Sequence, residues 1–402
     1  MLKKIPVDAV RAGMYIHSFE GDWLSNPFWK SRFVIDKPDD VQRLRTSGLV
    51  AVWIDLSKGL DIVMPAVPQT AAGATPADVA APDLLTVAKA PRCSVRDELQ
   101  RAARILNKSK KAVGELFNEA RLGKAIDVES CLPLVADISD SLARNGSALI
   151  GLARLKHKDE YTYMHSVAVC ALMVSLSRQL GLDEATAREA GLAGLLHDVG
   201  KMAMPNAVLN KPGSLTDDEF AIMRSHPERG HALLAAADNL PASVLDVCLH
   251  HHEKFDGTGY PHRLKGEEIS LFARMGAVCD VYDAITSNRP YKTAWNPADS
   301  VARMAQWGGH FDTRIFHAFI RSVGIYPLGS LVKLESGRLG VVIEQHEDRL
   351  TEPVLRVFFS TKTRMHIQPS DLDLSRRNVS DRIVGREDPA QWGFTNLDDF
   401  WR

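Results

Sequence analysis

Between Ser94 and Trp295 the apolar residues of the chain recur every three or four positions, interrupted at intervals by glycine and proline. That spacing lines up apolar side chains on one face of successive helices, so the stretch predicts a helical domain. Nine of the 14 histidines of the chain lie between His157 and His262, inside the same stretch. A helical domain that concentrates a metal-binding side chain in this way is a candidate for a metal site.

Several ionisable residues fall inside apolar helical runs. His165 lies early in the run 163–180, His251 continues the apolar stripe of Val244, and Asp280 lies inside another apolar run. Burying such groups is costly unless something pairs with them. One such histidine is ordinarily a hydrogen-bonded core residue, whereas several in one domain need a shared partner, and a divalent metal pair is the simplest. Imidazole and carboxylate ligands without thiolate suit iron or manganese and would be unusual for structural zinc.

The sequence His197-Asp198-Val199-Gly200-Lys201 ends the apolar run 191–196, and Gly200 is predicted to stop that helix. An imidazole beside a carboxylate at a helix end can bind one metal or bridge two. Taken alone, the pair is more simply explained as a capping aspartate beside a partly buried histidine.

A helix start is marked at Thr216, because Thr216 and Glu219 have the spacing of a capping box. That helix is predicted to end near His226, since Pro227 disfavours helical geometry in the residue before it. His226 is therefore a further candidate ligand.

Three motifs in this domain resemble those of one known family. His197-Asp198 resembles the pair of the HD phosphohydrolase superfamily, and the segment 251–261, HHEKFDGTGYP, resembles the HHExxDGxGYP motif of its HD-GYP branch. The segment 280–286, DVYDAIT, followed by Arg289-Pro290-Tyr291-Lys292, is similar to the next block of that family. Members of this branch are phosphodiesterases that open the cyclic dinucleotide c-di-GMP.

The resemblance is specific at the level of motifs between His165 and Lys292. The N-terminal residues 13–16 and 23–28 resemble the uncharacterised domain often found before HD-GYP domains. The implied fold is mainly α: a helical HD-type phosphohydrolase domain with a small α+β N-terminal module and a small β C-terminal appendage.

The resemblance also implies a set of metal ligands. One metal would be held by His165, His197, Asp198 and Asp280. Asp198 would bridge to a second metal held by His226, His251 and His252. Some family members bind a third metal through a glutamate four residues before the first histidine. That position is Tyr161 here, a poor ligand when protonated, so two metals are expected, and the neighbouring Glu160 leaves the question open.

Roles in catalysis and substrate binding follow from the same resemblance. Asp198 and Lys201 would be catalytic, with Lys201 near the scissile phosphate, and Arg289 and Lys292 would contact substrate phosphates. Asp283 would orient Lys201 or a metal ligand. A tight loop near the site would be shaped by Gly257, Gly259, Tyr260 and Pro261. A metal pair that activates water would hydrolyse c-di-GMP to linear pGpG, and a second cut to GMP stays open.

Composition and periodicity divide the chain into four parts. Residues 1–64 alternate short apolar runs with turns and predict the α+β module, and residues 65–91, rich in alanine and proline, predict a linker. Residues 92–328 are predicted to form the helical domain. Residues 329–402 change to a period of two, with a hairpin at Ser336-Gly337 and a third strand at 354–360.

The overall charge excludes some classes of partner. The formal net charge is −1, so no strong field recruits nucleic acid or an acidic membrane surface. The five cysteines include no CxxC pair, which argues for a reducing compartment and against disulfides. Without a signal segment or a run of about twenty apolar residues, the protein is expected to be cytoplasmic.

Two other functions stay open: a c-di-GMP sensor or adaptor with little turnover, and an HD hydrolase of another nucleotide. The presence of His197, Asp198 and Lys201 together favours catalysis, and the Gly-Tyr-Pro segment with Arg289 and Lys292 favours the cyclic dinucleotide. The Gly-Tyr-Pro loop could contact signalling proteins. The helices predicted at 94–122 and 128–144 could pack onto the same domain or pair two protomers as a homodimer.

Overall fold

The chain forms two compact units, residues 1–85 and 86–402. The structure is a computed structural model, and it describes residues 2–20, 33–35, 38–45, 51–55, 58–60, 93–155, 161–237, 239–287, 295–346 and 348–402. The predicted linker 65–91 lies outside the described residues, and the predicted domain boundaries stay a prediction. In the described parts of the chain, no helix has the length and apolarity needed to cross a membrane.

In its described residues the first unit is a small sheet with an α-helix, as predicted. Its elements are β1 (Leu2–Pro6), β2 (Tyr15–Glu20), β3 (Phe33–Val34), α1 (Pro38–Arg45) and β4 (Ala51–Asp55). The strand order is β1-β4-β2-β3, with antiparallel pairing throughout. Apolar side chains on alternate strand positions, such as Ile5, Ile16 and Ile54, are buried in its core.

The second unit is mainly helical, which confirms the predicted fold class. Its helices are α2 (Val95–Arg121), α3 (Leu132–Arg154), α4 (Tyr161–Gln179), α5 (Glu184–Leu196), α6 (Asn206–Leu209), α7 (Asp217–Met223), α8 (His226–Leu234), α9 (Ala242–His250), α10 (Leu271–Thr286), α11 (Pro297–Met304), α12 (Thr313–Val323) and α13 (Pro389–Trp392). Helix α4 packs against α2, α3, α5, α10 and α12. It is apolar on all sides, which suits a helix that neighbours surround.

Local signals set several helix ends. Ser94 caps α2 by accepting a hydrogen bond from the Asp97 amide, and the capping box predicted at Thr216 is present at the start of α7. Helix α7 ends at Met223, a few residues before the predicted end. His226 begins α8, where Pro227 is tolerated because first-turn amides have no partner within the helix.

A five-stranded antiparallel sheet follows the helices. Its strands are β5 (Leu331–Leu334), β6 (Arg338–Glu344), β7 (Val354–Ser360), β8 (Met365–Asp373) and β9 (Ile383–Arg386). Their order is β8-β7-β6-β5-β9. Gly337, with φ of +81°, lies in the turn of the predicted β5–β6 hairpin. The sheet shares a core with the first helices, because Leu331, Phe358 and Trp401 pack with Val95 and Leu99 of α2.

Candidate metal centre

Seven side chains, from helices α4, α8 and α10 and from the turns that follow α5 and α9, come together in the second unit. One group is Asp198, His226, His251 and His252, and the other is His165, His197 and Asp280. Within each group, one ligand atom from every residue lies within 4.8 Å of the others. All seven are the predicted metal ligands, and their division into two groups follows the one implied by the family resemblance. Their role as ligands stays a prediction.

Asp198 lies between the two groups. Its Oδ1 is 3.3 Å from Nε2 of His226 and 3.7 Å from Nε2 of His251. Its Oδ2 is 3.4 Å from Nε2 of both His165 and His197. The two oxygens of one carboxylate therefore face different pairs of imidazoles, which is the arrangement that a bridging ligand needs.

Backbone carbonyls hold three of the imidazoles in one tautomer. The Nδ1 atoms of His197, His226 and His251 lie 2.8, 2.8 and 3.0 Å from the carbonyl oxygens of Gly194, Met223 and Val247. A carbonyl can only accept, so each Nδ1 carries the hydrogen and donates it. The neutral ring then has its lone pair on Nε2, and that atom points toward Asp198 in all three cases.

Asp283 is the acceptor that holds the His165 ring in one orientation. Its Oδ2 is 2.6 Å from Nδ1 of His165, while Nε2 of His165 lies 2.9 Å from Oδ1 of Asp280. Asp283 is itself buried, and the Ser287 hydroxyl donates to its other oxygen. A carboxylate behind a ligand histidine fixes the orientation of the ring and raises its basicity. The predicted role of Asp283 in orienting a ligand is compatible with this contact and stays a prediction.

Two buried polar atoms at the centre fit a bound cation. Nε2 of His197 and Oδ1 of Asp198 are buried and have no hydrogen-bond partner among the residues that the structure describes. Buried polar atoms are almost always paired, and leaving one unpaired costs about 1–3 kcal/mol. Two cations, one on each side of the Asp198 carboxylate, would satisfy these two lone pairs. The two buried His/Asp clusters are thus consistent with a binuclear metal site.

The charge states of four of the seven side chains suit metal binding. Burial raises the pKa of Asp198, but Lys201 and His197 outweigh it and hold the net value well below the ordinary carboxyl range. The pKa of Asp280 is likewise well below that range, because the contact with His165 outweighs burial. Burial lowers the pKa of His252 to about 3 and that of His251 well below its usual value. Ionised carboxylates and neutral imidazoles are the forms that bind metals.

Lys201 and His252 border the opening of the cluster. The Lys201 ammonium forms an ion pair with Oδ2 of Asp198, and its side chain is 23% exposed while that of Asp198 is 1% exposed. The His252 side chain is 22% exposed. A positive charge thus stands between solvent and the buried carboxylate. The predicted phosphate-binding residues Arg289 and Lys292 lie outside the described residues, as does Glu160.

The loop after α9 folds back on the cluster. At Gly259 a Cβ atom would lie 2.3 Å from the Lys254 amide nitrogen, so only glycine fits there, and Gly257 has a φ of +84°. The Tyr260 ring stacks on His252 with 4.7 Å between centroids, and the Tyr260–Pro261 peptide bond is cis. The loop therefore presents an aromatic ring beside the candidate site.

Gly200 and Glu253 have structural roles at the site that the sequence analysis did not assign. Gly200 was expected to stop α5, but α5 ends at Leu196. A Cβ at Gly200 would lie 1.9 Å from the His226 carbonyl oxygen, so the glycine instead lets two backbones approach. Buried Glu253 accepts a 2.6 Å hydrogen bond from the His262 amide and anchors the loop; its place in the HHE motif was the available signal. His250, the residue before the predicted ligand His251, lies 2.7 Å from Asp246 and pairs with that carboxylate.

Comparison with known proteins agrees with the predicted motifs. An HD domain matches residues 138–315, and a domain of unknown function, DUF3391, matches residues 2–131. Cyclic di-GMP phosphodiesterase PA4108 of Pseudomonas aeruginosa is 53% identical over 403 residues, which cover 100% of this chain and 96% of that protein. The response regulator RpfG of Xanthomonas campestris, also a cyclic di-GMP phosphodiesterase, is 41% identical over 192 residues, 47% of this chain and 50% of that protein.

Among solved structures, the HDG"Y"P protein Bd1817 of Bdellovibrio bacteriovorus matches 79% of this chain and 98% of its own, at 18% identity and a TM-score of 0.47. The sequence identity to PA4108 is much higher, at 53% along the whole chain. With an HD domain, a preceding DUF3391 domain and the HD and Gly-Tyr-Pro motifs in place, the chain belongs to the HD-GYP family.

Proposed function

We propose that this protein is a metal-dependent phosphodiesterase that hydrolyses cyclic di-GMP to linear pGpG. The observation that carries the proposal is the buried Asp198 carboxylate, whose two oxygens face two separate imidazole pairs. The relative PA4108, a cyclic di-GMP phosphodiesterase at 53% identity over the whole chain, supports the choice of substrate. Further hydrolysis to GMP would use the same residues.

We propose the ligand sets from the two groups described above. His165, His197, Asp198 and Asp280 would hold one ion, and Asp198, His226, His251 and His252 the other. Bound divalent ions supply Lewis acidity and lower the pKa of water toward neutrality. Oxygen and nitrogen donors without thiolate favour iron or manganese.

The residues of the chain itself orient the metal-binding imidazoles and stabilise negative charge on the substrate phosphate. Asp283 and three backbone carbonyls keep the imidazoles in the metal-binding tautomer. Lys201, ion-paired with Asp198 and partly exposed, can donate to a phosphoryl oxygen and stabilise the negative charge that develops there. In the reaction, a water oxygen gives up a proton and bonds to phosphorus, the bond from phosphorus to the ribose 3′ oxygen breaks, and that oxygen takes up a proton. Arg289 and Lys292 are proposed to bind phosphate as well.

Turnover of cyclic di-GMP by anaerobically purified protein, reconstituted with Fe²⁺ or Mn²⁺ and assayed for metal per chain, tests the proposal. We expect release of pGpG or GMP that disappears on chelation and in His197→Ala and Asp198→Ala. His250→Ala is the matched control, because His250 adjoins the cluster but pairs with Asp246; it should keep its activity. Tight binding by metal-loaded protein without turnover would favour the sensor. A protein that holds no metal would refute the proposal.

Protein partners at the Gly-Tyr-Pro loop, a homodimer and a cytoplasmic location stay predictions. Each has a direct measurement: capture of a named signalling protein by wild type but not by loop variants, mass by light scattering, and cell fractionation.

A further inference from the structure

Arg224 stands at the edge of the candidate site in a stack of three side chains. It follows α7 and precedes the predicted ligand His226 by two residues. Its guanidinium carbon lies 4.6 Å from the centroid of the Tyr260 ring, and that ring stacks on His252. The stacked side chains of Arg224, Tyr260 and His252 thus extend from the protein surface to the candidate metal centre.

The guanidinium of Arg224 has unused donors. Within the part of the chain that the structure describes, it takes part in no hydrogen bond or ion pair, and its contacts are with the rings of Tyr260 and Phe220. Other arginines of the unit, such as Arg144 and Arg356, make two-pronged contacts with carboxylates. A guanidinium has five N–H donors in a rigid plane. Stacking holds that plane in place while leaving its edge open for a ligand.

The surroundings of Arg224 favour a nucleobase. Phe220, whose ring centroid lies 6.0 Å from the guanidinium carbon, is 50% exposed on a helix with no buried residue. An exposed aromatic ring beside an arginine is the usual platform on which proteins stack bases. Lys201, ion-paired with Asp198, already supplies a cation for phosphate at the cluster itself.

We propose that Arg224 and Phe220 form the subsite for one guanine base of the cyclic dinucleotide. Arg224 donates to O6 and N7 of the guanine, the pair of acceptors that a planar guanidinium reads best. Adenine carries an amino group where guanine has O6, so it would place donors against donors. Arg224 is thus a specificity residue for the proposed reaction, and its assignment rests on the proposed function.

The test compares kcat/KM for cyclic di-GMP and cyclic di-AMP in metal-loaded wild type, Arg224→Ala and Arg224→Lys. Where cyclic di-AMP turns over too slowly, its inhibition constant replaces kcat/KM. We expect Arg224→Ala to lower kcat/KM for cyclic di-GMP by about 10- to 100-fold, the discrimination that a bidentate arginine–guanine contact supplies. The value for cyclic di-AMP should change far less. Arg224→Lys should not restore discrimination, because an ammonium cannot bridge O6 and N7.

Two further variants make the test specific. Phe220→Ala should weaken the binding of both dinucleotides, and so lower kcat/KM for each, by similar factors, since stacking tolerates any base. Arg229→Ala removes an equally charged, exposed side chain from α8 and should match wild type. Metal content per chain is measured for each variant, so that rates refer to loaded sites.

Equal losses for both dinucleotides in Arg224→Ala, restored by lysine, would mean a phosphate contact and overturn the guanine subsite. Wild-type kinetics in Arg224→Ala would overturn it as well. In both cases wild type still hydrolyses cyclic di-GMP, so the proposed function survives. If wild type hydrolyses no cyclic dinucleotide, the proposed function fails and the subsite with it.

Discussion

At the scale of single residues, the candidate site depends on which atom of each ring faces the cluster. Histidine can bind a metal through either nitrogen, and the acceptor behind the ring decides which one is free. Three of the rings have backbone carbonyls behind them, and His165 has the Asp283 carboxylate. The carboxylate is the one such acceptor that a side-chain substitution can remove.

We therefore expect Asp283→Ala to weaken metal binding by about 10- to 100-fold, because the His165 ring loses the acceptor that orients it. Asp283→Asn keeps a carbonyl oxygen that can accept from Nδ1, so its loss should be smaller. Competition with a chelator of known affinity measures the metal affinity of both variants. Thermal unfolding of the metal-free proteins is the control for folding. Wild-type affinity in Asp283→Ala would show that His165 needs no such partner.

Glu98 is a buried acid far along the sequence from the cluster, and it ties α2 to α3. Its Oε1 accepts hydrogen bonds from Ser141 and from Nη2 of Arg144, each at 2.8 Å, and its Oε2 accepts from Nε of Arg144 at 2.9 Å. Removing one partner of such a pair leaves the other charge uncompensated. We expect Glu98→Ala to lower the free energy of unfolding by about 3 kcal/mol, measured by urea denaturation.

The same residue predicts a pH dependence. Burial raises the pKa of Glu98, but hydrogen bonds from Arg144 and Ser141 outweigh it, so the net pKa is lowered. A depressed folded-state pKa stabilises the fold above the unfolded value of about 4.3 and loses that contribution as the pH falls through the folded value. The fall in Tm below about pH 4.3 should therefore be shallower in Glu98→Gln than in wild type. Parallel curves for the two proteins would contradict this assignment.

At the scale of elements, the site requires two backbone segments to touch. A Cβ at Gly200 would lie 1.9 Å from the carbonyl oxygen of His226 and 2.5 Å from the amide nitrogen of Gly230. Both are backbone atoms of α8, which carries His226, so neither can rotate aside. The turn that carries His197 and Asp198 is thereby held directly against the helix that carries His226.

Gly200→Ala should displace α8, lower the free energy of unfolding by about 1–3 kcal/mol and reduce metal content per chain. Gly146→Ala is the matched control, because a Cβ at that position would meet no atom within 4 Å apart from its chain neighbours and the backbone of its own helix. Elemental analysis and thermal unfolding check both variants. If Gly200→Ala bound metal like wild type, the close approach would not matter for the site.

At the scale of the whole molecule, the C-terminal sheet and the first helices of the second unit share one hydrophobic core. Phe358 of β7 is 1% exposed and lies in a core with Val95 and Leu99 of α2. Its ring stacks on Phe400 with 4.4 Å between centroids. We therefore expect the sheet to contribute to the stability of the helices that precede the candidate metal centre.

Phe358→Ala should cost about 3–5 kcal/mol through lost burial and a residual cavity. Because the core is shared, we expect the unfolding transitions of the sheet and of the helices to shift together. Near- and far-ultraviolet circular dichroism measures both transitions. Met365→Ala on the neighbouring strand is the control, since Met365 is 65% exposed and should change stability by less than about 0.5 kcal/mol. Separate melting of the sheet would contradict a shared core.

Much of the fold followed from local patterns, and the exceptions have a common cause. The helical period, the capping box at Thr216 and the strand at 354–360 depend on residues close together in sequence. Strands β8 and β9 went unpredicted. Strand β8 is a largely exposed edge strand, so it lacks the buried alternation that marks a strand, and β9 pairs with the distant β5.

By itself, the sequence determined the chemical identity of the candidate site, because residue type and motif spacing are properties of the chain: imidazoles and carboxylates without thiolate, and a Gly-Tyr-Pro loop beside them. Only the tertiary structure decided which atoms meet. Four contacts join segments that are distant in sequence: those of the two Asp198 oxygens with separate histidines, that of Asp283 with His165, that of Gly200 with α8, and that of Arg224 with the Tyr260 ring. Helix crossings bring such segments together, and local periodicity carries no information about them.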